Sequence, residues 1–197
     1  SLSGSDGGTA WSLRPPVSLD PPLEDVMNNP RASGSAFADV SAATLAVDLI
    51  MPMIEAGLAD KKIGDSGFLY IVIMDPGLGP DTCSFEDAVL YEHAVGDRSA
   101  WDADYALYAR EKARVCWTHR RNGHEVRVCS PHLLRAQETG VWGGIWLDGI
   151  SVGVSGANPW FDEAIGLSVA AAFRAIAKQR ALAHPESLWV LGGDHSE

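Results

Sequence analysis

Lys112 is the first residue in this chain whose position suggests chemistry. It falls among Trp101, Tyr105, Tyr108, Ala109, Ala113, Cys116 and Trp117, which recur at three- and four-residue spacing as one face of a helix. A lysine on that face must snorkel to water or meet an acid. The adjacent acids Asp162 and Glu163 follow an Asn158-Pro159 helix start. They read as paired carboxylates for acid–base work, or as charges favoured by the positive end of a helix dipole. Lys112 with Asp162 or Glu163 would make an enzyme reading.

Other candidates read as turns or lone side chains. Gly153-Val154-Ser155-Gly156-Ala157 approaches the nucleophile-elbow pattern, but Ala stands at its last position and Ser155 follows a hairpin strand. Gly77-Leu78-Gly79 has neither a third glycine at the right spacing nor a G-K-[ST], so it is not a phosphate cradle. None of His93, His119, His124, His132, His184 and His195 has an i, i+4 partner for a helical zinc site. A haem iron needs only one or two axial ligands, and His93 and His119 are the candidates. Cys83, Cys116 and Cys129, with no C-x-x-C, read as free thiols of a reducing compartment.

These residues need a scaffold. Ala42, Leu45, Ala46, Leu49, Met53 and Ile54 predict a helix capped by Asp39 or Ser41, interrupted by Pro52 and ended by Gly57. Residues 67–74 form a continuous apolar, β-rich run, the pattern of a strand buried on both faces. A second strand is expected over 88–93, a helix over 97–122 capped by Ser99 and stopped by Asn122-Gly123, and a short helix over 130–137. Two strands, 143–147 and 150–154, flank Asp148-Gly149, a hairpin turn that wants positive φ. A last helix starts at Pro159 with Asn158 as its cap. Consecutive strands imply antiparallel pairing, with helices covering the sheet in an α/β, layered α+β fold.

The domain is expected over 37–183. A Gly-, Ser- and Pro-rich arm precedes it at 1–36, and a tail at 184–197 carries the apolar run Leu188-Trp189-Val190-Leu191, expected to pack on the body or on another subunit. The 197 residues suffice for one domain. Fifteen basic against twenty-six acidic residues give a net charge of −11, which disfavours nucleic acid and anionic lipid. No apolar run approaches about twenty residues, so no membrane span is expected. With no signal peptide at the start, the expected location is cytoplasmic.

The succession of motifs resembles a known family. Asp75-Pro76-Gly77 closes a strand, and Lys112-Ala113 lies on the following helix. Then come Gly143 to Gly149 as G-G-I-x-x-D-G, Val152 to Gly156 as V-G-V-S-G, and Asp162-Glu163 in a first helical turn. Over residues 40 to 180 this is similar to the GlcG/HbpS-like, haem-degrading-domain family, which includes the C-terminal domain of PduO-type proteins. The resemblance implies a profilin-like α/β/α fold with an antiparallel sheet of about five strands, assembled as a homo-dimer or larger homo-oligomer. It also implies haem or another tetrapyrrole as a ligand. Arg114-Val115-Cys116, Trp146, Trp160 and Phe161 depart from the family pattern. The ligand-binding residues expected from the motifs are Lys112, Gly143, Gly144, Trp146, Ser155, Trp160, Asp162 and Glu163. The leading reading is a small-ligand-binding protein for haem binding, degradation or sensing. The alternative is a non-haem small-molecule binding or accessory module with a divergent pocket.

Overall fold

A computed structural model describes residues 34–185. Most of the expected arm, and the apolar run at 188–191, lie outside the described residues. Within the expected arm, the Ser35 N–H donates to Asp75 Oδ1 at 3.0 Å, and Asp75 Oδ1 also accepts from the Gly77 N–H at 2.8 Å.

Helix α1 spans Val40–Ala59 and strand β1 Leu69–Met74. Helix α2, Phe85–Ala88, leads directly into β2, Val89–Val95. Helices α3, Tyr105–His119, and α4, Gly123–Cys129, precede the hairpin β3, Gly144–Leu147, and β4, Ile150–Ser155. Helix α5 is Pro159–Ala183. The sheet is four-stranded and antiparallel, in the order β2-β1-β4-β3. The resemblance implied about five strands; the described residues supply four.

Alternation along β1 explains the layers, because successive side chains in a strand point to opposite faces. Leu69, Ile71 and Ile73 join one core with Ala46 and Val47 of α1 and Val169 and Phe173 of α5. Tyr70, Val72 and Met74 join another with Ala109, Ala113 and Trp117 of α3. The sheet is thus a middle layer, with α1 and α5 on one face and α3 on the other.

Local chemistry sets the element ends. Asp39 caps α1 by accepting from the Ala42 N–H at 2.8 Å. Pro52 lies within α1 and the helix continues past Gly57 to Ala59. By length and composition α1 is apolar enough to cross a membrane, with a mean hydropathy of 1.5 over an 18-residue window of which 33% is buried. Its only charged residues are Asp48 and Glu55, and these with Ser41 and Thr44 break the run, so a search for uninterrupted apolar stretches passes over it.

The helix expected over 97–122 begins later, at Tyr105, because Asp104 rather than Ser99 caps it, accepting from the Leu107 N–H at 2.9 Å. Asp97 closes a short 3-10 turn at Arg98–Ala100 instead. Asn122-Gly123, read as a stop, opens α4 after Arg120 takes the left-handed conformation at φ 54°. The helix expected over 130–137 shrinks to a 3-10 turn, Pro131–Leu133. Asp148 and Gly149 have φ of 49° and 90°, the pair of positive values a two-residue hairpin requires. Arg174 on α5 holds that turn through Asp148.

The tightest packing is α3 on β4. A Cβ placed on Gly153 would lie 2.0 Å from the Ala109 carbonyl oxygen and 2.6 Å from the Ala113 nitrogen. Both are backbone atoms that cannot turn aside, so even one methyl forces the layers apart. Gly153→Ala is expected to lower unfolding free energy by about 2 kcal/mol or more, measured by urea denaturation followed by circular dichroism.

Candidate functional site

Close packing carries Lys112 to the end of the sheet. The last pair of the β3–β4 ladder is Gly144↔Gly153, and Val154 lies one residue beyond it. The Lys112 ammonium takes the place of the missing strand donor, giving a hydrogen bond to the Val154 carbonyl at 2.9 Å. It gives another to Asp162 Oδ2 at 2.7 Å. Asp162 Oδ1 accepts from the Ala157 N–H at 2.9 Å, fixing the loop that enters α5. Lys112 and Asp162 are only 3% and 1% exposed. The pair therefore joins α3 on one face of the sheet to α5 on the other.

Gly143 and Gly144 make room for this clasp. With φ of 127°, Gly143 lies where a Cβ would meet Asp162 Cβ at 2.8 Å and Lys112 Nζ at 3.1 Å. A Cβ on Gly144 would meet the Lys112 carbonyl oxygen at 2.6 Å. Burial pushes the Asp162 carboxyl up to about 6, against the opposing pull of Lys112. Burial also pushes the Cys116 thiol up to about 12, so it is a packing group and not a nucleophile.

The expected residues divide by position. Lys112, Gly143, Gly144 and Asp162 meet at the clasp. Ser155 is buried in β4 opposite Tyr70. Glu163 is half-buried, its carboxyl raised by burial and drawn down by His124, whose ring stacks on Trp142 at 4.3 Å. Trp146 is half-buried on β3, its backbone N–H donating to Asn122 Oδ1 at 2.8 Å. Trp160 is 58% exposed beside Phe161.

The two candidate axial histidines lie on opposite faces of the sheet. His93 is opposite Ile71, which belongs to the α1–α5 core, and its Nδ1 lies 3.1 Å from the Tyr91 hydroxyl. His119, at the end of α3, contacts Glu138 Oε2 through Nε2 at 2.8 Å, and both side chains are 8% exposed. They cannot bracket one haem. Neither lines the hollow described next, so the histidines do not fit an axial role there.

That hollow, of about 520 Å³, lies beside α3, walled by Phe85, Glu111, Arg114, Trp117, Arg135 and Glu138 among others. None of the eight expected binding residues lines it. Arg114 stacks 4.1 Å over Phe85 and pairs with Glu86 and Glu111. Trp117 is fixed by its indole N–H, which donates to the Leu78 carbonyl at 2.9 Å. Glu138 accepts from the Arg135 backbone N–H at 2.8 Å across a turn in which Gln137 has φ of 79°. The Arg135 guanidinium makes no ion pair among the described residues. The walls come from separate stretches around residues 80–86, 111–118 and 135–138, which carry no shared motif. The only sequence trace is the Glu111, Arg114 and Thr118 spacing along one side of α3.

Fold and site together define a three-layer α/β/α domain with a sealed ion pair through its sheet and an open polar hollow beside it. No family model matches the chain, and neither the curated proteins nor the solved structures give a match.

Removing one member of a buried pair strands the other. Lys112→Met is expected to cost about 3–5 kcal/mol at neutral pH, and much of that loss is recovered in Lys112→Met/Asp162→Leu. A chemical denaturation cycle measures both. The pH dependence has a fixed sign. A carboxyl raised from 3.8 to about 6 contributes stability that is full below 3.8 and is lost as pH rises through about 6. Without Lys112 the lowering influence is gone and the carboxyl rises further. The deficit of Lys112→Met relative to the parent therefore grows between about pH 5 and pH 8, as read from denaturation midpoints across that range.

Proposed function

We propose that this domain is a small-molecule-binding module of GlcG/HbpS-like, profilin-like type that does not use haem, and that its ligand occupies the hollow beside α3. The helix–sheet–helix layering and the antiparallel sheet support the profilin-like reading. The hollow carries the functional one: its volume of about 520 Å³ falls in the range of roughly 300–1,000 Å³ usual for ligand sites.

The chemistry of the walls indicates a small acidic ligand. Arg135 offers a guanidinium fork suited to a carboxylate. Trp117 and Phe85 line the hollow but are only 8% and 4% exposed, and Glu138 is held back by His119. Most of the neighbouring cations are already engaged: Arg110 pairs with Glu92, Lys112 with Asp162, Arg114 with Glu86 and Glu111, Arg120 with Asp81 and Arg121 with Glu125. That leaves Arg135 as the guanidinium on the wall of the hollow for an anion to meet.

A thermal-shift panel of small aromatic and aliphatic carboxylic acids, with haemin alongside, tests this reading. A true ligand at a hundred times its Kd adds about 2.7 kcal/mol, a rise of roughly 5–10 °C for a domain of this size. Arg135→Ala is expected to abolish the rise while leaving the ligand-free melting temperature within a degree or two. Haemin is expected to give no Soret shift. The reading is lost if no acid stabilises the chain, if Arg135→Ala responds as the parent does, or if a haemin Soret shift appears and vanishes in His119→Ala.

A further inference from the structure

We propose that the corner between the rings of Trp101 and Tyr70 binds a small quaternary ammonium compound, and that Arg98 fills it as a placeholder in the compound's absence. Tyr70 stands on β1, on the face that α3 covers, and Tyr105 begins α3. The Trp101 ring lies at 89° to that of Tyr70 and at 90° to that of Tyr105, with centroids 5.7 and 5.4 Å apart. The Arg98 guanidinium sits in the corner, 4.9 Å from the Trp101 centroid and 5.6 Å from that of Tyr70. Tyr105 is fixed in turn, its hydroxyl donating to Asp102 at 2.5 Å and its ring packed against Phe68 at 6.0 Å. Tyr70 and Tyr105 are buried, so the corner is built into the body of the domain.

Arg98 itself is weakly tied. Its guanidinium makes no hydrogen bond or ion pair among the described residues, whereas Arg110 and Arg114, which also lie over a ring, each pair with an acid. It rides on the 3-10 turn Arg98–Ala100, and residues 96–100 are all exposed, so it can swing into water without disturbing the core. Among the described residues, the Trp101 indole N–H is the buried side-chain polar atom left without a hydrogen-bond partner. An unmet buried donor is costly, so the corner closed by Arg98 does not satisfy its own groups. A guanidinium on a ring face gives up hydrogen bonds to water, while a quaternary ammonium has none to give up and meets both π faces with its positive methyl surface. Charge selects the same class of ligand. The chain carries −11, and Asp97, Asp102 and Asp104 stand beside Arg98, Trp101 and Tyr105 in the chain, so an anion is repelled. The site is separate from the hollow, because Tyr105 and Trp117 are about 18 Å apart along α3.

The test is isothermal titration calorimetry of the full chain with choline, tetramethylammonium and ammonium at constant ionic strength. Choline and tetramethylammonium are expected to bind at least about tenfold more tightly than ammonium, which holds its water. Arg98→Ala vacates the corner and is expected to tighten both by about threefold or more, because the competing side chain is gone. Trp101→Leu is expected to abolish binding, with or without Arg98. Tyr108→Ala removes a 44% exposed ring of α3 outside the corner and is expected to leave the affinity unchanged. Circular dichroism melts show which variants fold, and the exposed Arg98→Ala change decides the matter even where Trp101→Leu does not. No binding in either the parent or Arg98→Ala overturns the proposal. So does ammonium binding as tightly as choline, an affinity that Arg98→Ala leaves the same or weakens, or a folded Trp101→Leu that binds as the parent does.

Discussion

The arrangement depends on how closely α3 can approach β4. Gly153 and Gly144 present bare backbone to a helix whose facing residues, Ala109 and Ala113, are themselves small. That contact lets a lysine side chain on α3 reach past the sheet edge to the Val154 carbonyl and on to Asp162. With any side chain at Gly153 the helix stands off, and Lys112 would be left desolvated and short of its partner. The glycines and the ion pair are therefore one device, because the buried charges are tolerable only where the backbone approach completes their hydrogen bonds.

The same contact bears on chemistry. A general base or a nucleophilic amine must be able to touch a substrate. Lys112 is instead spent on two acceptors, and Asp162 uses both oxygens, one on Lys112 and one on Ala157. Both are buried, and Gly143 covers them. The pair reads as a clasp between layers, and the polar groups open to a ligand lie on another side of α3. Glu111, Arg114 and Thr118 face the hollow while Lys112 and Cys116 face the sheet, so one helix serves both purposes.

Much of this was legible in the residues. A lysine inside an apolar helical stripe and an acid in a first helical turn announce buried charge, and their meeting at 2.7 Å follows from the layers that the strand patterns imply. The continuous run of β1 and the Asp148-Gly149 turn were equally plain. Other features depend on contacts between distant segments. Nothing local distinguishes Asn122-Gly123 as the entry to α4 from the end of α3, since Gly serves both roles. Asp104 outcompeted Ser99 as a cap only because residues 97–100 could close their own 3-10 turn. The His119–Glu138 contact and the hollow join stretches with no common motif, and a glycine's role against a helix shows only once the helix is placed.

Replacing a buried ion pair with well-packed apolar residues is often neutral or stabilising, so the clasp needs a reason beyond stability. Geometry supplies one. Apart from Phe173, the α1–α5 core is made of Ala, Val, Ile and Leu, shapes that tolerate sliding of one layer over another. Lys112 and Asp162 tolerate none: a shift of α5 by one turn would leave both charges buried and unpaired, and would also release the Ala157 N–H. The pair thus fixes where α5 begins relative to β4 and α3. Since α5 carries the exposed Trp160, Leu167 and Leu182, the register that the clasp sets inside the domain also sets where these residues stand on its outer face.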